Sequence, residues 1–178
     1  MSNLRGEPAD RPLENPGHHA SDAGVTVPAD TFRGDGEPTD PQPELPRTLR
    51  SLAIRTDYSD QALWDGFRAA LTALDDDLEP GSYLHVLDDH AFRTLSAVEI
   101  EAFARGNEDH PYLMLFDREA MTSPEHLVLV LDLSEEPGST FRVPASDLAT
   151  VEANLFLANM DFSDFVEAAD ENNIYRAP

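Results

Sequence analysis

The chain has 178 residues, with enough apolar side chains to bury one substantial core but not two separate ones. It carries 35 acidic side chains against 12 basic ones, a net charge of -23 that repels nucleic-acid phosphates and anionic lipids. The composition therefore argues against direct binding to nucleic acid or to a membrane surface, and it favours a basic protein or a metal cation as partner.

Two absent residue types exclude further classes of function. All 12 basic residues are arginine, so the chain has no lysine for a Schiff base, a phosphate-binding P-loop or a general base. It also has no cysteine, which excludes disulfides, thiolate zinc sites and cysteine nucleophiles. Because no signal-like segment and no apolar stretch of about 18 residues is present, a cytoplasmic protein is expected.

Residues 1–47 differ in composition from the rest of the chain. They hold eight of the 14 prolines and five of the nine glycines, with few large apolar side chains. This composition predicts a disordered, acidic N-terminal tail, in which the exposed pair His18 and His19 is incidental. Residues 48–178 are predicted to form a single α/β domain, and most of the negative charge belongs to them.

The first half of the domain alternates between apolar runs and helical patterns. Residues 52–54 predict a short strand, followed by a helix that Asp57 or Ser59 caps and whose apolar positions recur from Leu63 to Leu74. Pro80 and Gly81 interrupt the chain before a second predicted strand at residues 83–87. Ser96 and Glu99 have the spacing of a capping box, Leu95 and Ile100 that of the hydrophobic staple around it, and Gly106 is expected to end this second helix.

The second half contains three more predicted strands and two helices. Residues 112–116 and 127–131 are continuous apolar runs, which are typical of strands covered on both faces. Residues 140–143 predict a fifth strand, paired antiparallel with the fourth through a turn at residues 135–138. Helical spacing follows from Leu148 to Ala158 and again from Phe162 to Ala169, with Asp161 as the expected cap of the last helix.

This alternation predicts a compact α/β domain with a mostly parallel or mixed sheet of about five strands flanked by helices. No internal repeat is visible in the sequence. The order of the strands does not follow from the pattern.

Several ordered segments together resemble a known family. They are residues 55–60 with Trp64, residues 122–126, residues 141–144, and residues 154–162, which contain the motif Ala158-Asn159-Met160-Asp161-Phe162. Over residues 52–177 the chain resembles the uncharacterised bacterial domain-of-unknown-function family 6924. The resemblance implies no activity, cofactor or catalytic residue.

Aspartates follow three of the predicted strands. If the strands are parallel, Asp57, Asp88, Asp89 and Asp117 meet at the carboxyl edge of the sheet, where ligands commonly bind. Carboxylate oxygens suit Mg²⁺, Mn²⁺ or Ca²⁺ better than zinc, so these four are the candidate metal ligands. Against this reading, aspartate after a strand commonly caps a helix or begins a turn, and no glycine-rich phosphate loop follows the first strand.

Histidines near the same loops suggest an alternative site. In this interpretation His90, His110 and His126 form, with Asp88, either a metal site or an acid-base pair. Their spacing matches no metal motif. Ser123 has no G-x-S-x-G surroundings and is interpreted as a turn residue.

The remaining candidates for ligand or interaction residues are Arg55, Trp64, Asn154 and Asn159. Arg55 and Arg142 lie within strand-like runs, where a guanidinium needs a carboxylate partner unless it holds an anionic ligand. Asn154 and Asn159 stand among apolar residues, and they either bind a ligand or satisfy free backbone groups between the last two helices.

Two classes of function remain. The first is a non-catalytic interaction module whose acidic surface binds a basic partner, as an inhibitor, an immunity-type protein or a nucleic-acid mimic does. This class is preferred because it uses the dominant feature of the chain. The alternative is a divalent-metal-dependent enzyme of phosphoryl transfer or hydrolysis, with Mg²⁺ or Mn²⁺ on the strand-end aspartates.

Overall fold

The structure, a computed structural model, describes residues 43–74 and 83–178. These residues form a mixed five-stranded sheet with helices on both faces, as the sequence predicts. The break predicted at Pro80 and Gly81, the pair His18 and His19, and all of the predicted tail up to residue 42 lie outside the described residues. None of the described helices is long and apolar enough to cross a membrane.

The sheet has the strand order β2-β1-β3-β4-β5. Strands β1, β2 and β3 run parallel to one another, whereas β4 is antiparallel to both β3 and β5. The antiparallel pairing predicted for the last two strands is therefore confirmed. The strands are β1 Ser51–Arg55, β2 Leu84–Leu87, β3 Tyr112–Phe116, β4 Val128–Asp132 and β5 Thr140–Val143.

Five α-helices connect or follow the strands. Four of them correspond to predicted helices, but the short α3 was not predicted, because one and a half turns are too few to show a helical period. The same holds for two 3₁₀ turns, His90–Phe92 and Ala145–Asp147. The helices are α1 Gln61–Ala73, α2 Ala97–Ala104, α3 Arg118–Thr122, α4 Leu148–Phe156 and α5 Phe162–Ala168.

The caps follow local hydrogen-bonding chemistry, with one correction. Asp60, and neither Asp57 nor Ser59, is the N-cap of α1, since its Oδ1 accepts from the backbone amides of Ala62 and Leu63. The predicted capping box of α2 is present, with Ser96 and Glu99 bonded reciprocally. Asp161 is the N-cap residue of α5, as predicted.

The sheet separates two apolar cores because side chains alternate along β1 and β3. Ala53 and Met114 point to the core that contains Trp64 and Phe67 of α1. Leu52, Ile54, Leu113 and Leu115 point to the opposite core, beneath Ile100 of α2. Both faces of the sheet are thus covered, which explains the continuous apolar runs in the sequence.

The chain contacts the domain before the first strand begins. Leu45 packs against the core under α2, and the backbone carbonyl of Pro46 lies 2.9 Å from Nε2 of the buried His110. Residues 45 and 46 therefore belong structurally to the domain, slightly before the boundary predicted from composition.

Aromatic stacking holds the C-terminal helix on the sheet. The ring of Phe165 in α5 lies 5.3 Å from that of Phe141 in β5, at an interplanar angle of 11°. Tyr175 packs edge-on against Phe165 at 4.9 Å, and the C-terminal segment pairs with β5 through a parallel bridge between Arg142 and Ile174. Burial of these rings supplies both apolar area and favourable ring geometry.

We predict that Phe165→Ala lowers the free energy of unfolding by about 3–5 kcal/mol, because it leaves a cavity beneath α5. Phe156→Ala is the matched control: this phenylalanine ends α4 but is 57% exposed, so its loss costs less than about 1 kcal/mol. Urea denaturation of both variants measures the difference. Equal losses would contradict the packing described for α5.

Candidate functional site

The carboxyl ends of β1, β2 and β3 meet at one edge of the sheet. β1 lies between the two others. The connection through α1 leads from β1 outward to β2, and the connection through α2 returns from β2 past β1 to β3 on the opposite face of the sheet. A strand-order reversal of this kind is the usual place for a ligand site in an α/β sheet. The predicted residues Asp57, Asp88, Asp89 and Asp117 all lie at this edge.

Arg55 occupies the centre of the edge. Its side chain is 3% exposed, and its Nε donates to the backbone carbonyl of Asp57 at 2.9 Å. Nη1 donates to Asp88 at 3.3 Å, and both terminal nitrogens lie 3.3 Å from Oε1 of Gln61. The guanidinium therefore joins the end of β1 to the start of α1 and to the residue that follows β2.

Two aromatic rings complete the surroundings of Arg55. Its guanidinium carbon lies 4.0 Å from the ring centre of Tyr58 and 4.6 Å from that of Trp64, distances at which a cation is attracted to the π-face. The Tyr58 ring in turn lies 4.1 Å from the ring of His90. Arg55 is tied to the framework through all three of its guanidinium nitrogens, and its predicted role as a ligand residue stays a prediction.

The Tyr58 hydroxyl oxygen is buried beside the carboxylate of Asp88, but no residue among 43–74 and 83–178 makes a hydrogen bond of good geometry with it. Burial raises the pKa of Tyr58 well above its ordinary value, and the neighbouring carboxylate of Asp88 raises it further. Tyr58 is therefore neutral at physiological pH.

Asp57 is ionised beside two arginines. Burial opposes its ionisation, but hydrogen bonds from Ser59 and the charges of Arg118 and Arg55 outweigh burial, so the pKa of Asp57 is lowered. Its Oδ1 accepts from the Ser59 amide at 2.8 Å, and its Oδ2 lies 3.6 Å from Nη1 of Arg118. This arrangement is an Asx turn closed by an ion pair.

Asp117 has two structural roles. Its Oδ1 accepts from the Ala120 amide at 3.0 Å and so caps α3, while both carboxylate oxygens accept from Arg142 of β5, at 3.2 and 2.7 Å. Nε of Arg142 also pairs with Glu119 at 3.0 Å. The fork geometry of arginine on a carboxylate makes this a strong structural contact, and it satisfies the predicted need of Arg142 for a partner.

The four predicted metal ligands are thus distributed over separate tasks. Asp88 pairs with Arg55, Asp57 with Arg118 and Asp117 with Arg142, whereas Asp89 accepts from the Ala91 amide and begins a 3₁₀ turn. In the described ranges no three carboxylates or imidazoles stand close enough to hold a metal ion. The metal site stays a prediction without a ligand set in this part of the chain.

The predicted histidines do not converge either. His90 stacks on Tyr58, His110 bonds to the Pro46 carbonyl, and Nδ1 of His126 lies 3.0 Å from the Ala120 carbonyl. His126 has a positive φ of 53° and borders a cavity of about 390 Å³ beside the end of α1. The strand-end aspartates do not line that cavity.

The two predicted asparagines stabilise the end of α4. The side-chain amide of Asn154 donates to the Thr150 carbonyl at 2.9 Å, one turn earlier, and the Asn159 backbone amide donates to the Asn154 carbonyl at 2.9 Å. Ala158 between them has a positive φ of 51°. The first bond is internal to α4, and the second is a main-chain bond that satisfies a carbonyl in the last turn of the helix. The ligand role and the structural role predicted for the two side chains both stay predictions.

A second polar cluster lies at the opposite edge of the sheet. Ser51 Oγ donates to Oε1 of Glu152 at 2.7 Å and lies 2.7 Å from the hydroxyl of Tyr112. All three side chains are buried, and Glu152 has no arginine or histidine within 4.0 Å in the described part of the chain. Burial raises the pKa of Glu152, and it raises the pKa of Tyr112 to about 12.

The sequence analysis missed this cluster, although the sequence contains a signal for it. Glu152 stands four residues after Leu148 and three before Leu155, so it occupies the apolar stripe of α4. A carboxylate at such a position indicates a buried polar contact. Its partner Ser51 lies 101 residues earlier, and Tyr112, which bonds to Ser51, lies 40 residues before Glu152, so no local pattern connects the three.

Comparison with known protein families supports the family resemblance seen in the sequence segments at the two ends of the domain. The family described as a domain of unknown function, DUF6924, matches residues 50–178. The chain belongs to this family. The match covers both the residues around Arg55 and those at the end of α4. No curated protein matches the sequence.

We predict that Arg55→Lys destabilises the domain by about 1–3 kcal/mol, because lysine keeps the charge but cannot satisfy the Asp57 carbonyl, Gln61 and Asp88 together. Arg68→Lys is the control, since Arg68 is exposed and lies 5.8 Å from the Trp64 ring. Chemical denaturation measures both. If Arg55→Lys is as stable as the control, the guanidinium fork is not what holds this edge together.

A pH-dependent prediction follows from Glu152. The pKa of Glu152 in the folded state is raised above its ordinary value of 4.5. The contribution of Glu152 to the free energy of unfolding is therefore fully present below pH 4.5, and it is lost as the pH rises through the folded-state pKa. Glu152→Gln should therefore be more stable than the wild type at neutral pH, and the difference should vanish on acidification towards pH 4.5. Thermal unfolding as a function of pH measures it. A constant difference at every pH would contradict the assigned titration.

Proposed function

We propose that this domain is a non-catalytic interaction module whose acidic surface binds a basic protein. The observation that carries the proposal is the imbalance of ion pairs. Of the 23 acidic side chains in residues 43–74 and 83–178, eight lie in ion pairs, which engage six of the nine arginines there.

The other carboxylates in these ranges have no basic partner within 4.0 Å, and most of them are exposed. A surface of this kind attracts cationic partners over distances near the Debye length and accelerates their association. Inhibitors, immunity-type proteins and nucleic-acid mimics use this physical principle. The metal-dependent enzyme remains the alternative predicted from the sequence, and no grouping of described residues favours it.

The proposal predicts a saturable complex that weakens with salt. Full-length protein is immobilised and exposed to an extract of the cells that produce it, and polypeptides released by sodium chloride are identified. The most abundant basic one is then purified and titrated by calorimetry at several salt concentrations. We expect one-to-one binding whose affinity falls steadily as salt rises, because surface charges are screened.

A charge-neutralised variant tests the origin of the affinity. Glu108, Glu167 and Glu171 are exposed and make no ion pair with another described residue, so their conversion to glutamine removes charge without breaking a contact. We expect roughly fivefold weaker binding, mainly through a slower association rate. An affinity that neither salt nor this variant changes would show that the acidic surface is not the binding determinant.

A further inference from the structure

A groove lies between the turn that joins β4 to β5 and the connection from α4 to α5. Its volume is about 310 Å³, and it is neither enclosed nor flat. Its lining includes Pro111, Leu155 and the buried Tyr112, and also Phe156 and Glu135, which are exposed. A space of this size is at the lower end of the range for binding pockets and accommodates one large side chain.

One wall of the groove is preformed by a buried carboxylate. Asp132 is 1% exposed, and its Oδ1 accepts from the Ser134 amide at 2.8 Å while its Oδ2 accepts from the Glu136 amide at 2.6 Å. Gly138 closes the same turn with a positive φ of 94°. These bonds hold the backbone that carries Glu135 and Glu136.

The opposite wall is also held by local bonds. The Asn159 amide bonds back to the end of α4, and the Asp161 amide donates to Oδ2 of Asp164 at 3.0 Å at the start of α5. Both walls are therefore set by the fold before any partner arrives. Preorganisation of this kind lowers the conformational entropy cost of binding.

The groove combines exposed apolar surface with acids that make no ion pair with another described residue. Phe156 is 57% exposed at its edge and the adjacent Leu157 is 64% exposed. Among the residues that the structure describes, no arginine or histidine lines it, whereas Glu135 and Asp161 do. The Tyr112 hydroxyl lies 2.7 Å from Ser51 Oγ, so Tyr112 offers the groove a ring face and no free polar atom of its side chain.

Charge complementarity selects the occupant. The chain's own residues 1–42 contain eight acidic side chains against three arginines, and a second copy carries the same negative charge, so both are repelled. A basic partner is attracted, and an apolar anchor is needed to fill the space beside Phe156. Buried aromatic anchors within a polar rim are the usual source of binding energy at protein interfaces.

We propose that this groove is the docking site for a basic segment of a partner protein, which inserts one bulky aromatic side chain beside Phe156 while its arginines or lysines face Glu135, which lines the groove, and the exposed Glu136 next to it. The inference rests on the proposed function and adds to it the place and the chemistry of the contact.

The test uses full-length protein and three fluorescein-labelled peptides. The first has one tryptophan flanked on both sides by arginines, the second has alanine in place of the tryptophan, and the third has glutamates in place of the arginines. Fluorescence anisotropy measures binding. We expect the first peptide to bind at least ten times more tightly than the second, and the third not to bind.

Matched variants locate the contact. Phe156→Ala should weaken the first peptide at least tenfold, whereas Val98→Ala, at a 75% exposed site on α2, should not change it. Glu135→Arg combined with Glu136→Arg should weaken it more than Glu167→Arg combined with Glu171→Arg, which alters the net charge equally. Circular dichroism confirms that each variant is folded.

The outcomes separate the two proposals. If both arginine peptides bind equally and the two charge-reversal variants behave alike, the acidic module stands and the groove is overturned. If no arginine peptide binds even at low salt, both proposals fail. Displacement of the probe by a peptide of residues 1–42, or self-association that Phe156→Ala abolishes, would assign the groove to the chain itself and overturn the basic partner.

Discussion

The fold depends on one constraint, which is that every residue of β1 and β3 is buried. Strands buried on both faces need a covering layer on each side, and the two crossover connections supply helices to opposite faces. The same crossing directions place β1 between β2 and β3 and bring three strand ends together. The position of the Arg55 cluster is therefore a consequence of the way in which the cores are covered.

The two edges of the sheet use charge in different ways. At the carboxyl edge, Arg55, Arg118 and Arg142 each pair with a strand-end aspartate, so the charges are compensated and the loops are tied to one another. At the other edge, Glu152 is buried against hydroxyl groups alone, and the carboxylates around the neighbouring groove have no cation among the described residues. Uncompensated charge attracts a partner and compensated charge does not, which is why we propose the second edge as the interaction surface.

Local chemistry made much of the fold predictable. All five strands, the capping box at Ser96 and Glu99, and the N-cap Asp161 depend on residues that are neighbours in the sequence. The short α3 and the cap at Asp60 were missed because competing local bonds decide such details within a few residues. The positions of the aspartates at the strand ends were predicted correctly, but their arginine partners were not, because the pairing of Asp88 with Arg55 joins residues 33 positions apart. The cluster of Ser51, Tyr112 and Glu152 was missed for the same reason.

The sequence by itself determined the α/β class, the existence and order of the five strands and of four helices, the excess of negative charge and the family to which the chain belongs. These properties follow from composition, periodicity and short motifs, all of which are local. Only the tertiary structure decided the strand order, the arginine partner of each aspartate and the apolar groove beside Phe156. Each of these depends on contacts between segments that are far apart in the sequence. Such contacts contribute free energy only when the cores are packed and the contacting charged groups are removed from water.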